Sequence, residues 1–473
     1  MATTVTLQDS MTREPREVSP IDGETYRFYC CGPTVYGPAH IGNSRTFVGQ
    51  DTFRRVLECA GIATKHVRNV TDVDDKTIRE SQAQGQTLGD FTKHWKDKFS
   101  ADCVALNMLE PHIEPGAVDH IPHQVRMIEA LIEKGNAYEK EGSVYFSVKS
   151  FPGYGRLSRV ADRELKPGAA QTANDSDEYD KDSLADFVLW KGRKPEDGDN
   201  YWHSPWGEGR PGWHLECSAM SLEYLGETFD MHSGGVDLMF PHHENEIAQS
   251  ECCSGTTFAH HWFHITHLLV DGGKMSKSLG NFYTLADLEE KGYTPEELRY
   301  VYLSGHYRHH LNFTLDSLLA SRQAMNRLSR FEKSLAERAQ TSKVPDYETA
   351  RQAGEAGPFQ PAFEALCRDL NTPDALGKIF TAIKSIDTKT LSQPIAAKLY
   401  QQYHFILAAL GLQLLEKEEN REDIPKEIKA MAEERWQARS AKEWAESDRL
   451  RDELSEAGWL VQDGKEGYTV IRK

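Results

Sequence analysis

The order strand, punctuated loop, helix, strand near the start of the chain constrains the fold more than any other feature. Tyr26–Cys31 reads as a strand, and Gly32 to Ala39 is a Gly/Pro-punctuated loop. A helix follows from about His40 to Ala60, a second strand at Lys65–Val70, and another helix over Leu88–Met108. Strands that alternate with helices form a parallel sheet with right-handed crossovers. Ligands of such sheets bind beyond the carboxyl ends of the strands, where Cys31 and Thr71 sit.

Residues 119–135 read as a helix that stops at Gly135, and the alternation at Ser143–Val148 predicts an antiparallel hairpin. Residues 170–200 are acidic and irregular around a strand-like Phe187–Trp190, and interrupt the pattern as an insertion. The pattern resumes at about Gly212. A helix begins near Pro241, and a strand over His264–Val270 runs into a glycine- and lysine-rich loop. Beyond about residue 285, helical spacing recurs through 314–336, 360–370, 374–386 and 394–412, with Asn371-Thr372-Pro373 as a helix start. Glu416 to Asp423 reads as a linker, 425–457 as helical, and Trp459–Ile471 as a small hairpin or turn-rich cap. The fold class expected is α/β: a Rossmann-type parallel-sheet catalytic domain with an insertion, followed by a helical bundle and a small C-terminal α+β domain.

A chain of 473 residues has ample length for a buried core without disulfide or metal staples. Its formal charge of −18 argues against a general polyanion binder. Eight cysteines with no CxxC pattern read as reduced core residues or ligands, which fits a cytoplasmic protein. The longest apolar stretch, Phe405 to Leu415, falls short of the roughly 20 residues a bilayer needs, and the N-terminus has no apolar signal core. No membrane partner is expected.

Three constellations carry chemistry. His40-Ile41-Gly42-Asn43 starts a helix directly after a strand and loop, where free N–H groups and the positive dipole end suit a phosphate. Lys274-Met275-Ser276-Lys277-Ser278, followed by Leu279-Gly280-Asn281, places two lysines in a Gly-flanked loop able to clamp a polyphosphate. Each alone also fits an ordinary helix start or a solvated basic loop; the two together, in this order, disfavour that reading. The third is a metal set. His242 and Glu246 share a face of the expected helix, Cys31 ends the first strand, and Cys217 follows Gly212-Trp213-His214. Two thiolates, an imidazole and a carboxylate suit four-coordinate zinc. His243 is a competing ligand that can reach Glu246 at a spacing of three. Core residues satisfied by hydrogen bonds are the alternative to a metal site.

Six stretches together resemble the cysteinyl-tRNA synthetases, a class I aminoacyl-tRNA synthetase family. They are Tyr29–Tyr36, His40–Asn43, Arg68–Lys76, Gly212–Ser218, Asp237–Glu246 and Lys274–Asn281, in family order over about the first 315 residues. The resemblance implies ATP-dependent formation of cysteinyl-adenylate, with magnesium accompanying the ATP, and transfer of L-cysteine to tRNA(Cys). It implies zinc ligation by Cys31, Cys217, His242 and Glu246, with the metal binding the substrate thiolate. His40 and Lys277 match the adenylation residues, with Asn43 and Lys274 beside them, and Thr71, Trp213, His232 and Asp237 match the amino-acid pocket. Zinc as a filter for thiolate over hydroxyl removes the need for an editing domain. The domains implied are the catalytic halves 1–118 and 212–262, a connective insertion 119–211, a lysine-loop and stem-contact region 263–320, a helical bundle 321–420 and an anticodon-binding domain 421–473. The family is often monomeric, and a monomer is expected.

The chain departs from the family pattern in places. Asn43 stands where many class I enzymes have a second histidine, and it still donates through its amide. Asp175–Asp182 is acidic where a basic, proline-containing run is the family habit. Cys30 adjoins Cys31; Cys31 is the one that precedes Gly32 in the matching motif, and neighbouring strand residues point to opposite faces. The nearest rival is a ligase joining cysteine to an amino sugar, which lacks a tRNA-reading tail; here residues 425–473 carry Trp436, Arg439, Trp444, Arg449, Arg451 and Trp459. That tail has ten Lys/Arg against eleven Asp/Glu, so the acid excess lies elsewhere. A narrow basic track around Arg299, Arg308, Arg322 and the tail arginines is expected to meet tRNA.

Overall fold

The structure is a computed structural model that describes residues 4–160, 186–275, 280–414, 425–441, 443–463 and 468–472. Two compact units divide the chain, Met1–Leu414 and Leu415–Lys473.

The core of the first unit is a four-stranded parallel sheet built from β1 (Thr25–Cys30), β2 (Ala63–Arg68), β3 (Phe229–Gly235) and β4 (Ala259–Ile265), in the spatial order β4-β3-β1-β2. α1 (Ile41–Cys59) crosses between β1 and β2, and α2 (Trp213–Leu225) and α3 (His242–Ser254) flank β3. The alternation read from the sequence is therefore present. Register sets the site: His232 lies opposite Tyr29 on β1 and Trp262 on β4. Cys31 N–H extends the ladder by donating to Ser233 O at 3.0 Å, which places Cys31 just past the carboxyl end of β1.

The insertion forms a five-stranded antiparallel sheet from Ala137–Lys140, Ser143–Phe146, Phe187–Gly192, Trp202–Ser204 and Gly207–Pro211. Residues 161–185 of that insertion, including Asp175–Asp182, lie outside the described residues. The hairpin expected at Ser143–Val148 is the pairing of its first two strands.

The strand expected over His264–Val270 is two strands in different sheets. β4 ends at Ile265, and Leu268–Val270 pairs with Gly273–Lys274 and Leu311–Phe313. The break has a local cause: the Thr266 and His267 carbonyls both turn to accept from the Arg45 guanidinium at 2.6 Å.

Beyond residue 285 the unit is helical, with Leu315–Ala339, Gln360–Cys367, Thr372–Ser385 and Gln393–Leu410 as its main elements. The bundle packs on the back of the sheet in one apolar cluster running from Phe28 and Phe53 to Tyr403 and Phe405.

The second unit holds two helices, Lys426–Ser440 and Trp444–Glu456, and the antiparallel pair Trp459–Asp463 and Tyr468–Arg472. Ile428, Ala432 and Leu454 make its small core. No described helix is long and apolar enough to cross a membrane.

The basic track expected around Arg299, Arg308 and Arg322 is not a continuous exposed one, because only Arg308 of the three is exposed. Arg299 is fully buried and bonded to Asp51 at 2.5 Å. Arg308 pairs with Asp369 and Arg322 with Glu297, each at 2.5 Å. In the second unit Arg449 pairs with Glu446 and Glu453, and Arg451 with Asp448. Acidic neighbours, within one helix for the tail arginines and from other segments for the rest, pair with these cations.

Candidate active site

A cavity of about 610 Å³ opens at the carboxyl ends of β1 and β3. Cys31, Cys217 and His242 lie on its wall at one end, and His40 and Asn43 at the other.

At the inner end, Cys31, Cys217, His242 and Glu246 offer four buried ligand atoms within 4.8 Å of one another. Cys31 Sγ lies 3.8 Å from Cys217 Sγ and 3.7 Å from Glu246 Oε1. His242 Nε2 lies 3.1 Å from the same Glu246 oxygen. The i,i+4 spacing on α3 makes the last pair, and Pro241 caps that helix so that its first turn faces the cavity. Cys31, His232, His243 and Glu246 form a second group that satisfies the same criterion. The residues fit a bound metal ion in both arrangements. The competition between His242 and His243 is thus present in space as in the sequence.

Burial pushes both thiols up, Cys31 far above the ordinary range, so without a cation they stay protonated. Burial also holds His242 down at about 3 and keeps its imidazole neutral, the form that ligates. In His242 and in His243 the other ring nitrogen is held by a further ring. His242 Nδ1 lies 2.9 Å from His214 Nδ1, and His243 Nδ1 lies 2.8 Å from His264 Nε2. Such outer partners fix the orientation of metal-binding imidazoles.

The residues expected at the amino-acid pocket divide. Trp213 lines the cavity with its ring stacked on His242 at 4.3 Å. Thr71 lines it too and donates to Glu216 Oε2 at 2.8 Å. Asp237 stands at the rim, more than half exposed, with Oδ1 3.9 Å from His267 Nδ1. His232 sits behind Glu246 rather than on the wall: it is fully buried, 2.7 Å from Glu246 Oε2, and stacked on Trp262. It reaches the site through that carboxylate.

Sequence reading missed Asn69. Its Oδ1 accepts from Gly32 N–H at 2.8 Å, its Nδ2 donates to Thr71 Oγ1 at 3.3 Å, and Cys217 Sγ lies 3.7 Å from the same Oδ1. One amide therefore ties the ends of β1 and β2 to α2. Gly32 is required at this junction, because a Cβ there would stand 1.6 Å from Asn69 O. Glu216, His214 and His264 were also missed. Asn69 lies in the matching stretch Arg68–Lys76 and His214 and Glu216 in Gly212–Ser218, which is the signal the sequence held for them.

At the other end, His40 caps α1. Its Nδ1 accepts from Asn43 N–H at 3.2 Å, and Asn43 Oδ1 accepts from His40 N–H at 3.3 Å. A backbone N–H can only donate, so Nδ1 carries no proton and Nε2–H is left to donate. Burial lowers the His40 pKa and keeps this neutral tautomer. Asn43 spends its oxygen on the cap and keeps its amide donors for the cavity. Lys274 is exposed on a short strand, and its carbonyl accepts from Asn281 at 3.3 Å. Lys277 lies outside the described residues.

The comparisons with known proteins come from three directions. The family described as "tRNA synthetases class I (C) catalytic domain" matches residues 17–323, and "Cysteinyl-tRNA ligase anticodon binding domain" matches residues 421–470. Among curated proteins, a cysteine–tRNA ligase of Opitutus terrae is 52% identical, covering 98% of each chain. One from Brachyspira hyodysenteriae is 41% identical over 99% of each. Among solved structures, the LeuRS–tRNA–LeuAMS complex of Agrobacterium radiobacter shares the fold at TM-score 0.61 and 11% identity, covering 82% of this chain and 84% of that one. A Mycobacterium tuberculosis methionyl-tRNA synthetase does so at TM-score 0.54 and 14% identity, covering 82% and 89%. With a class I catalytic-domain match, an anticodon-binding-domain match and full-length relatives at 52% and 41% identity, the chain belongs to the cysteine–tRNA ligase family of class I aminoacyl-tRNA synthetases.

Proposed function

We propose that this aminoacyl-tRNA ligase activates L-cysteine with ATP to give cysteinyl-adenylate and pyrophosphate. It then transfers cysteine to the 3′ end of tRNA(Cys), with one zinc ion selecting the substrate thiolate. The observation that carries this reading is the convergence of Cys31, Cys217, His242 and Glu246 at one end of the cavity whose other end is the His40–Asn43 helix start.

The ligand separations support zinc. Two thiolates on a tetrahedral zinc stand about 3.8 Å apart, and a thiolate and a carboxylate oxygen about 3.6 Å. The corresponding separations here are 3.8 and 3.7 Å. When bound, zinc supplies a soft Lewis acid that takes a thiolate far better than a hydroxyl.

The chain's own residues do the rest. Trp213 and Thr71 bound the space beside the ligands, with His232 positioning Glu246 and Asp237 at the rim. His40 Nε2–H and the Asn43 amide donate toward phosphate charge that develops as the cysteine carboxylate attacks the α-phosphorus. Lys274 and Lys277 neutralise the departing pyrophosphate together with magnesium. We assign residues 421–473 to the anticodon, where exposed Trp444 with Arg439 5.8 Å from its ring offers a stacking surface for an unpaired base. The assignment extends to a cytoplasmic monomer.

The test is amino-acid-dependent ATP–pyrophosphate exchange and tRNA charging with cysteine and serine, with an amino-sugar acceptor in parallel. Cysteine should be preferred by several orders of magnitude and tRNA should be the only acceptor. Equal use of serine would refute the thiolate filter, and charging of the sugar would favour the rival ligase.

A further inference from the structure

A cationic face lies on the helical bundle, where the charge pairing seen elsewhere stops. In this chain of formal charge −18, several surface cations of the first unit stand against carboxylates. Lys93 meets Asp97 at 2.6 Å, Arg351 meets Glu348 at 2.6 Å and Lys398 meets Glu355 at 2.7 Å. Arg327, Arg330, Lys333 and Arg338 on the helix Leu315–Ala339, with Lys384 and Lys389 beside it, are all exposed. Among the described residues, none of the six has a carboxylate oxygen within 4.0 Å.

Helical spacing puts Arg327, Arg330, Ser334 and Arg338 in one sector of the long helix. The next segment packs along that sector. Arg327 Cζ lies 4.6 Å from the centre of the Phe380 ring, and Ser334 Oγ lies 2.6 Å from Thr388 Oγ1. Lys384 is one turn beyond Phe380 and Lys389 follows Thr388, so both add their charge to the same face. Two of the guanidinium groups are steadied by neutral acceptors that leave the charge standing. Arg330 Nε donates to Asn326 O at 3.2 Å, and Arg338 Nε to Leu391 O at 3.0 Å. The exposed acids in residues 323–338 and 381–390 are Glu337 and Asp387, and Asp387 is turned to its own backbone, accepting from Lys389 N–H at 3.1 Å. Glu332 is buried against His404.

We propose that this face of the bundle meets the phosphate backbone of the tRNA. From Arg327 to Arg338 the helix advances about 16 Å at 1.5 Å per residue. A row of that length matches several successive phosphates of one strand, whereas a free phosphate would engage one or two of the cations. The contact carries no sequence information; it sets where the tRNA lies. It takes the place of the track expected around Arg299, Arg308 and Arg322, and it rests on the ligase reading above.

The test measures binding of purified tRNA(Cys) to the full-length chain from about 50 to 200 mM KCl, beside cysteine-dependent ATP–pyrophosphate exchange. The quadruple variant Arg327→Gln/Arg330→Gln/Lys384→Gln/Lys389→Gln should lose about 0.7–0.9 of the slope of log affinity against log salt for each phosphate contact removed, about 2 to 4 in all. Its Kd near about 0.1 M salt should rise at least tenfold. Exchange needs no tRNA and should match the wild type, which also shows that the variant is folded. Arg351→Gln/Lys398→Gln removes two paired cations of the same bundle and should leave the slope as it is. A wild-type slope in the quadruple variant, or an equal drop in the paired-cation variant, overturns the assignment. If the wild-type chain charges no tRNA with cysteine, the ligase reading falls instead, a result distinct from the other two.

Discussion

The sulfurs of Cys31 and Cys217 stand 3.8 Å apart although 186 residues separate them in the chain. One sulfur follows β1 and the other rides the first turns of α2, so the pair exists only once the insertion has been spanned and the two halves of the sheet have met.

Cys31 belongs to both ligand groups, so Cys31→Ser should strip the metal. Metal content by mass spectrometry should fall from about one ion per chain to near zero, and cysteine-dependent exchange at least about a hundredfold. A Cys31→Ser enzyme that kept its ion would remove Cys31 from the ligand set.

His40→Ala takes away both a cap and a donor. The cap is worth about 1 kcal/mol of stability. Loss of a donor aimed at developing charge lowers kcat about 10²- to 10³-fold. Because His40 lies at the far end of the cavity from Cys31, KM for cysteine should hold while kcat for exchange drops. A change in KM with kcat intact would place His40 with the amino acid instead.

Much of this site could be read from the chain because its ligands sit beside backbone punctuation. Cys31 precedes Gly32, and His242 follows Pro241. β3 could not be read: Asp230, His232, Ser233, Gly234 and Gly235 break any apolar alternation, yet all but Gly235 are buried. Their polar side chains each meet a partner, Asp230 accepting from Ile21 and Arg27 N–H, Ser233 from Gln50, and His232 meeting Glu246, so the strand most important to the site carries the weakest strand signal. α3 hides its periodicity for the same reason, with every residue from His242 to Ser250 buried. Arg299 misled in the opposite direction: sequence gives no sign that a cation will be interior when its partners, Asp51 and the carbonyls of Leu106 and Leu410, come from three distant segments.

That buried arginine makes a stability prediction. Arg299→Met keeps the stem but leaves those two carbonyls without the guanidinium, and half of the charge facing Asp51 disappears, leaving Arg55. The expected loss is about 3–5 kcal/mol. Arg299→Lys should recover only part, since a compact ammonium cannot span the separated acceptors that the three guanidinium nitrogens reach. Urea unfolding of the three proteins checks this, and a methionine variant within about 1 kcal/mol of wild type would contradict it.

His66 predicts how the fold responds to acid. Its ring is buried and stacked on Phe28 at 4.6 Å, with neither ring nitrogen hydrogen-bonded. Burial first, then the nearby Arg68 and Arg54, hold its pKa well below the ordinary histidine value. The unfolded chain takes up a proton below about pH 6.5 and the folded chain does not. Stability is therefore intact above that pH and falls by up to about 1.4 kcal/mol per unit below it, until the folded pKa is reached. Phenylalanine at this position has nothing to titrate. Whatever the larger ring does to absolute stability, the difference between His66→Phe and wild type should shift in favour of the variant by roughly 2 kcal/mol between pH 6.5 and 5. Urea midpoints at pH 7.5, 6.5 and 5 for both proteins measure that difference, and parallel pH profiles would show that the folded protein protonates this ring as readily as the unfolded chain does.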